Sequence, residues 1–105
     1  MDRKTLTRDQ ALDTVREYKR VIRHRYLAEP KVMMYGSYAK GHANPDSDID
    51  VAVILPGSEI TNRWEQLADL WCDICQVSVL IEPVLMEINE DSMLYREVMR
   101  TGVAV

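Results

Sequence analysis

The chain has 105 residues, 47% of them hydrophobic, and a formal net charge of −4 at pH 7. That length suits one folded unit, so we expect a single domain over residues 1–105. The acidic balance argues against a nucleic-acid partner, because proteins that follow a phosphate backbone carry a basic surplus. Residues 1–4 are polar with no apolar run behind them, and no stretch reaches the length of a membrane span. We therefore predict a cytoplasmic protein without a signal peptide or membrane contact.

The spacing of apolar residues predicts an alternation of helices and strands. In chain order, we expect a helix at 7–26, a strand at 32–35, a short helix at 37–40, a strand at 48–55, a helix at 59–75, a strand at 77–86 and a helix at 92–101. Thr7 and Gln10 have the spacing of a capping box at the start of the first helix. Gly102 ends the last helix, and the apolar residues 103–105 are expected to pack on the body.

Two pairs of residues in the third predicted helix have both a functional and a structural interpretation. Cys72 and Cys75 have the spacing of a metal or redox pair, but no second group of cysteines or histidines accompanies them. We therefore interpret them as thiols that pack within the helix. Trp64 and Trp71 follow the helical period, and we predict that they belong to the core rather than stack on a nucleobase.

The segment from residue 36 to residue 50 combines residues suited to phosphate and metal binding. Gly36 allows a tight turn and a close approach of the backbone to a ligand, and Ser37 adds a hydroxyl beside the free N–H groups of a new helix. Asp48 and Asp50 alternate with apolar residues, so both carboxylates point from one face of a strand. Carboxylates are preferred ligands of Mg²⁺, and their mutual repulsion favours a cation between them.

A Gly-Ser pair, ten residues and then Asp-x-Asp resembles the signature of the polymerase-β nucleotidyltransferase superfamily, specifically its minimal, MNT-type antitoxin members. The resemblance covers nearly the whole chain, because the order of predicted elements is also that of the family. We therefore expect an α/β (α+β) fold, with a small mixed β-sheet of about three strands flanked by helices. The alternative is an ordinary strand-to-helix turn followed by a solvated strand face.

On the phosphate side, the resemblance implies that Gly36 and Ser37 hold the triphosphate of a nucleotide. We interpret Lys40 as a further residue that neutralises the triphosphate, and the alternative is a solvated surface lysine. His42 is interpreted as a surface residue of the loop rather than as a general base.

On the metal side, the resemblance implies that Asp48 and Asp50 are metal ligands and that Glu82 is a third acid arriving from a later strand. Glu82 stands where many members have Asp, and a solvent-facing strand residue is the alternative. We expect these three catalytic carboxylates to hold two Mg²⁺ ions, with Glu82 also accepting the proton of the attacking hydroxyl.

The resemblance also implies a substrate and a partner. Minimal members lack the helical domain with which larger relatives hold their acceptor, and they occur with a separate all-helical HEPN-type toxin. We therefore expect AMP to be transferred from ATP, or another NTP, to a tyrosine hydroxyl of such a partner. Two alternatives stay open: a non-catalytic antitoxin that retains a nucleotide site, and a small-molecule adenylyltransferase completed by a partner or by homo-oligomerisation.

Overall fold

A computed structural model describes residues 4–105 of the chain. The expectation about a signal peptide concerns residues 1–4, of which 1–3 lie outside the described range. The helices are α1 (Arg8–Ile22), α2 (Gly36–Lys40), α3 (Arg63–Asp73) and α4 (Met93–Thr101), and the strands are β1 (Lys31–Tyr35), β2 (Ile49–Leu55), β3 (Ile81–Glu87) and β4 (Val103–Ala104). No helix in the described range is long and apolar enough to cross a membrane.

The strands form one mixed sheet in the order β3-β2-β1-β4. β1 is antiparallel to both of its neighbours, whereas β2 and β3 are parallel and are joined by a crossover through α3. This architecture confirms the predicted α/β (α+β) class and the mixed sheet flanked by helices. The described sheet has four strands rather than about three, because part of the apolar tail pairs with Met33 and Met34 of β1.

Helices α1 and α3 cover one face of the sheet. α1 starts at the predicted capping box, where Oγ1 of Thr7 accepts from the backbone N–H of Gln10 at 3.0 Å and Oε1 of Gln10 accepts from that of Thr7 at 2.9 Å. Such a cap stabilises a helix by about 1 kcal/mol. The hydroxyl of Tyr18 donates to the carbonyl of Leu70 at 2.7 Å and thereby ties α1 to α3. The sheet residues buried under these helices are Val32, Met34, Ile49, Val51, Val53, Leu55, Ile81 and Leu85.

Helix α4 packs on the opposite face of the sheet. Val98 is its buried residue, and it belongs to a second, smaller apolar cluster with Met33, Ala52, Ile54 and Met86. α4 has nine residues, so it covers only part of this face. The row of residues at the end of β1 and the start of β2 and β3 is left half-buried or exposed.

Strand β3 forms one edge of the described sheet. Pro83 lies within it, as edge strands permit, because proline has no N–H to donate. The carbonyl of Leu85 accepts a hydrogen bond from the guanidinium of Arg63 at 3.0 Å. A side chain of α3 thus occupies a backbone acceptor of this strand.

The third predicted helix is shorter than its apolar pattern indicated. Short 3-10 turns, Gly57–Glu59 and Ile74–Gln76, precede α3 and follow it. The strand expected from residue 77 begins at Ile81, because the backbone N–H groups of Val77 and Ser78 both bond to the carbonyl of Ile74. Those groups are used by the turn and are not available to the sheet.

The prediction that placed the tryptophans of this region in the core is wrong. Trp64 is 83% exposed and Trp71 is 44% exposed. Cys72 and Cys75 are exposed thiols. The sequence pattern was misread because α3 packs through a narrow face, on which Leu70 is fully buried, while the tryptophans lie to one side of it.

Candidate active site

The strand register places three polar side chains in one row across the sheet. Tyr35 of β1 is the register partner of Asp50 of β2, and Asp50 is the partner of Glu82 of β3. Residues that pair directly across neighbouring strands have side chains on the same face of the sheet. The structure therefore brings Asp50 and Glu82 together from separate strands, on the face that carries α4.

Asp48 lies just before this row. β2 begins at Ile49, one residue later than predicted, so Asp48 is the last loop residue and is exposed. It lies two residues from Asp50 and lines a cavity together with Glu82. The three carboxylates expected from the sequence thus occupy one end of the sheet, although Asp48 is held by a loop rather than by a strand.

Burial and neighbouring negative charges together set the electrostatics of the row. Burial raises the pKa of Asp50 from 3.8 to about 6, and the charges of Glu82 and Asp48 add to the increase. Burial also raises the pKa of Tyr35 to about 12, with further contributions from Asp50 and Glu82. Tyr35 is therefore a neutral phenol at pH 7, able to donate a hydrogen bond within the site.

Gly36 is required both by its backbone conformation and by its neighbour. Its φ is +74°, in the left-handed region that favours glycine. A Cβ at this position would collide with Oδ2 of Asp50 and lie 3.1 Å from its Cγ. The glycine predicted to approach a ligand is thus packed against the predicted metal ligand.

Ser37 follows in the first turn of α2, where its side chain is half-buried and its carbonyl accepts from the N–H of His42 at 2.9 Å. α2 is fixed from outside by two contacts with the N-terminal region. The hydroxyl of the buried Tyr38 accepts from the backbone N–H of Leu6 at 3.2 Å, and Nε of Arg8 donates to the carbonyl of Ala39 at 3.3 Å. These contacts hold the Gly-Ser turn beside the acidic row.

Lys40 and His42 are the two remaining residues of the predicted site region, and their surroundings differ. The ammonium of Lys40 forms an ion pair with Glu97 of α4 at 3.1 Å. Hydrogen bonds from Arg100 and then Lys40 lower the pKa of the Glu97 carboxyl. The structure thus gives Lys40 a protein partner, and its predicted role toward a triphosphate stays a prediction. His42 is exposed in the loop, as expected.

The acidic row suits a divalent cation by its chemistry. Carboxylate oxygens are hard ligands of Mg²⁺, and neighbouring negative charges are offset by a cation. Within residues 4–105, no three acidic, histidine or cysteine side chains are gathered closely enough to form a metal-binding cluster. Asp48 and Glu82 are both exposed and line one cavity, so a cation bound there would offset the repulsion between their carboxylates.

A cavity of about 230 Å³ opens beside the acids on the β3 side, and Asp48, Trp71, Val79, Ile81 and Glu82 line it. Sequence reasoning missed Trp71 and Val79, as well as Tyr35 in the row. Tyr35 could have been recognised from the alternation in β1. Trp71 and Val79 carry no such signal, because a tryptophan at helical spacing is more often a core residue.

Comparison with known proteins identifies the family to which this arrangement corresponds. Residues 11–105 match the model of the family described as polymerase beta, nucleotidyltransferase. The chain belongs to the polymerase β nucleotidyltransferase family. The match confirms the resemblance carried by the Gly-Ser and Asp-x-Asp pattern. No curated protein matches this nucleotidyltransferase chain.

Several solved structures share the fold of this polymerase β nucleotidyltransferase. A nucleotidyltransferase candidate from Sulfolobus solfataricus is 15% identical, with a TM-score of 0.67 over 92% of this chain and 80% of that one. A mutant of the toxin–antitoxin MntA-HpeT is 21% identical, with a TM-score of 0.50 over 96% of this chain and 72% of that one. A toxin–antitoxin with AMP-PNP is 21% identical, with a TM-score of 0.47 over 94% and 72%. At these identities, the likeness to the Sulfolobus solfataricus structure and to the MntA-HpeT mutant shows the fold alone.

Proposed function

We propose that this nucleotidyltransferase moves AMP from ATP to a hydroxyl group on a separate protein. The observation that carries the proposal is the register that sets Glu82 of β3 beside Asp50 of β2. Two strands distant in sequence deliver acids to the same face, next to a glycine at which an added Cβ would meet the Asp50 carboxylate. An ordinary solvated strand face requires neither paired acids from two strands nor a glycine packed against one of them.

Each residue of the row has a role in this reaction. Asp48 and Asp50 bind the cation that accompanies the nucleotide, and Glu82 completes the set and accepts the proton of the attacking hydroxyl. Bound Mg²⁺ supplies charge neutralisation at the phosphates and a more acidic acceptor hydroxyl. A new P–O bond forms at the α-phosphorus as the bond to the β-phosphate breaks, and pyrophosphate leaves. Gly36 lets the phosphates approach the backbone, and the hydroxyl of Ser37 donates to a phosphate oxygen.

We propose an all-helical HEPN-type toxin as the acceptor protein. The described residues form one sheet with its covering helices, and the acidic row lies at an end of that sheet that α4 does not cover, where an acceptor from another chain can approach. The toxin–antitoxin MntA-HpeT contains a chain of the same fold. We propose by analogy that AMP is transferred to a tyrosine of the partner and silences it.

The experiment uses ATP labelled in its α-phosphate, MgCl2 and a purified HEPN-type helical protein as the acceptor. We expect label on that protein, and we expect Asp48→Asn to abolish labelling because a ligand charge is lost. Asp46→Asn is the matched control, since it removes the same charge from an exposed turn of the same loop. Neutralisation of the toxin that survives in Asp48→Asn without label would refute the enzyme and identify a binding antitoxin.

A further inference from the structure

The cavity on the β3 side of the row differs in character from the phosphate side. Gly36 and α2 lie against Asp50 from the β1 side, which leaves the β3 side as the open approach to the acids. Asp48, Glu82, Trp71, Val79 and Ile81 line this cavity, so it combines carboxylates with large apolar side chains. Trp71, Val79 and Ile81 give the rest of the cavity a largely apolar lining without a cationic side chain, so this part of it is unsuited to a triphosphate.

The size of the cavity limits its occupant further. Pockets for cofactors and drug-sized ligands measure roughly 300–1,000 Å³. At about 230 Å³, this cavity is large enough for one side chain and too small for a whole nucleotide. Its occupant must be apolar enough to lie on Trp71 and must carry a polar group that reaches a carboxylate.

The exposed apolar surface of Trp71 and Val79 is also suited to contact with a bound group. Trp71 is 44% exposed and Val79 is 77% exposed, although both are large apolar residues next to the site. An exposed indole provides a rigid stacking surface for an aromatic ring, with ring centres about 4.5–7 Å apart. A phenol stacked on Trp71 carries its hydroxyl at the end of the ring, and Glu82 lines the same cavity as a candidate acceptor of its proton.

We propose that the apolar lining of Trp71 and Val79 binds the aromatic ring of a tyrosine acceptor and positions its hydroxyl at Glu82. The inference rests on the proposed function and adds to it the residue that selects the acceptor. Trp71 is a positioning residue, because it contacts the ring and not the reacting atoms. Trp64 lies two turns earlier on α3, is 83% exposed and does not line the cavity, so it is the natural control.

The binding test needs no catalysis and uses the two indole N–H signals of the ¹⁵N-labelled protein, assigned with Trp64→Phe. N-acetyl-tyrosinamide is titrated, with N-acetyl-serinamide and Mg·ATP in parallel samples. We expect a saturable shift of the Trp71 signal with the tyrosine probe alone, and no shift of the Trp64 signal. A Trp71 signal that ignores the tyrosine probe, or that moves with Mg·ATP instead, would overturn the proposal and in the second case indicate a nucleobase platform.

The kinetic test uses the labelled ATP assay with the helical partner. Loss of one aromatic contact should raise KM for the acceptor roughly 3- to 10-fold in Trp71→Ala and leave KM for ATP unchanged. Trp71→Phe should restore most of the loss, and Trp64→Ala should behave as wild type. Equal changes in both KM values, with an unaltered melting temperature, would contradict an acceptor role. If wild type labels nothing, the proposed function fails, whereas the titration still decides whether the cavity binds a phenol.

Discussion

Replacing Asp50 by Asn should stabilise the metal-free protein at neutral pH. The pKa of Asp50 is raised from 3.8 to about 6, so the folded state holds this proton more tightly than the unfolded state. Between these two values the free energy of unfolding falls as the pH rises, and the loss is complete above pH 6. The neutral amide of Asn occupies almost the same space and avoids that loss.

The magnitude follows from the size of the shift. The difference of about 2.2 units between 6 and 3.8 corresponds to about 3 kcal/mol at 1.36 kcal/mol per unit. Asp50 is only half-buried, so solvent screening reduces the effect, and we expect about 1 kcal/mol. In a domain of this size that raises the melting temperature by about 4–8 °C.

The assay is urea or thermal unfolding in EDTA at pH 7.5 and at pH 4.5, for wild type, Asp50→Asn and the exposed-loop control Asp46→Asn. We expect the gain for Asp50→Asn at pH 7.5, most of it lost by pH 4.5, and little change in the control. If Asp50→Asn brings no gain in stability at pH 7.5, or an equal gain at pH 4.5, then the ionised carboxylate of Asp50 does not destabilise the fold. Burial and the neighbouring carboxylates would then not destabilise the ionised form of Asp50.

Three further outcomes follow from the same structure. Because protons compete with cations for Asp50, the affinity for Mn²⁺ or Mg²⁺, measured by calorimetry, should fall as the pH is lowered through about 6. Gly36→Ala should abolish labelling and should destabilise the fold more than Gly41→Ala does. Both glycines have a positive φ, but only the Cβ added at Gly36 would meet a neighbouring residue. Equal melting temperatures of the two variants would contradict this. Arg25→Ala should lower the free energy of unfolding, measured in urea, by about 3 kcal/mol. The guanidinium donates hydrogen bonds of 2.6 and 2.9 Å to Asp73, which is only 2% exposed and would be left as a buried, unpaired charge. Adding Asp73→Asn to this variant should recover part of the loss.

Much of the local structure could be predicted because it depends on neighbouring residues. The capping box of Thr7 and Gln10 requires only their spacing, and it forms as expected. The alternation from Ile49 onward predicted which face of β2 would carry Asp50. Family resemblance supplied the third acid, Glu82.

What could not be predicted depends on contacts between distant residues. The pairing of Asp50 with Glu82 follows from the parallel register of β2 and β3, and no local pattern in either strand specifies it. The exposure of Trp71 was also out of reach, because a helical period gives the direction of an apolar residue but not the width of the face that packs.

The edge of the sheet at β3 bears on how any partner can recognise this molecule. Pro83 provides no donor there, and the carbonyl of Leu85 is already bonded to Arg63. An incoming extended peptide would therefore find an interrupted ladder, so growth of the sheet by strand addition is disfavoured on this side. Recognition next to Glu82 must then rely on side-chain chemistry. The choice of partner at this edge could therefore be changed by point substitutions in α3, without altering the backbone of the sheet.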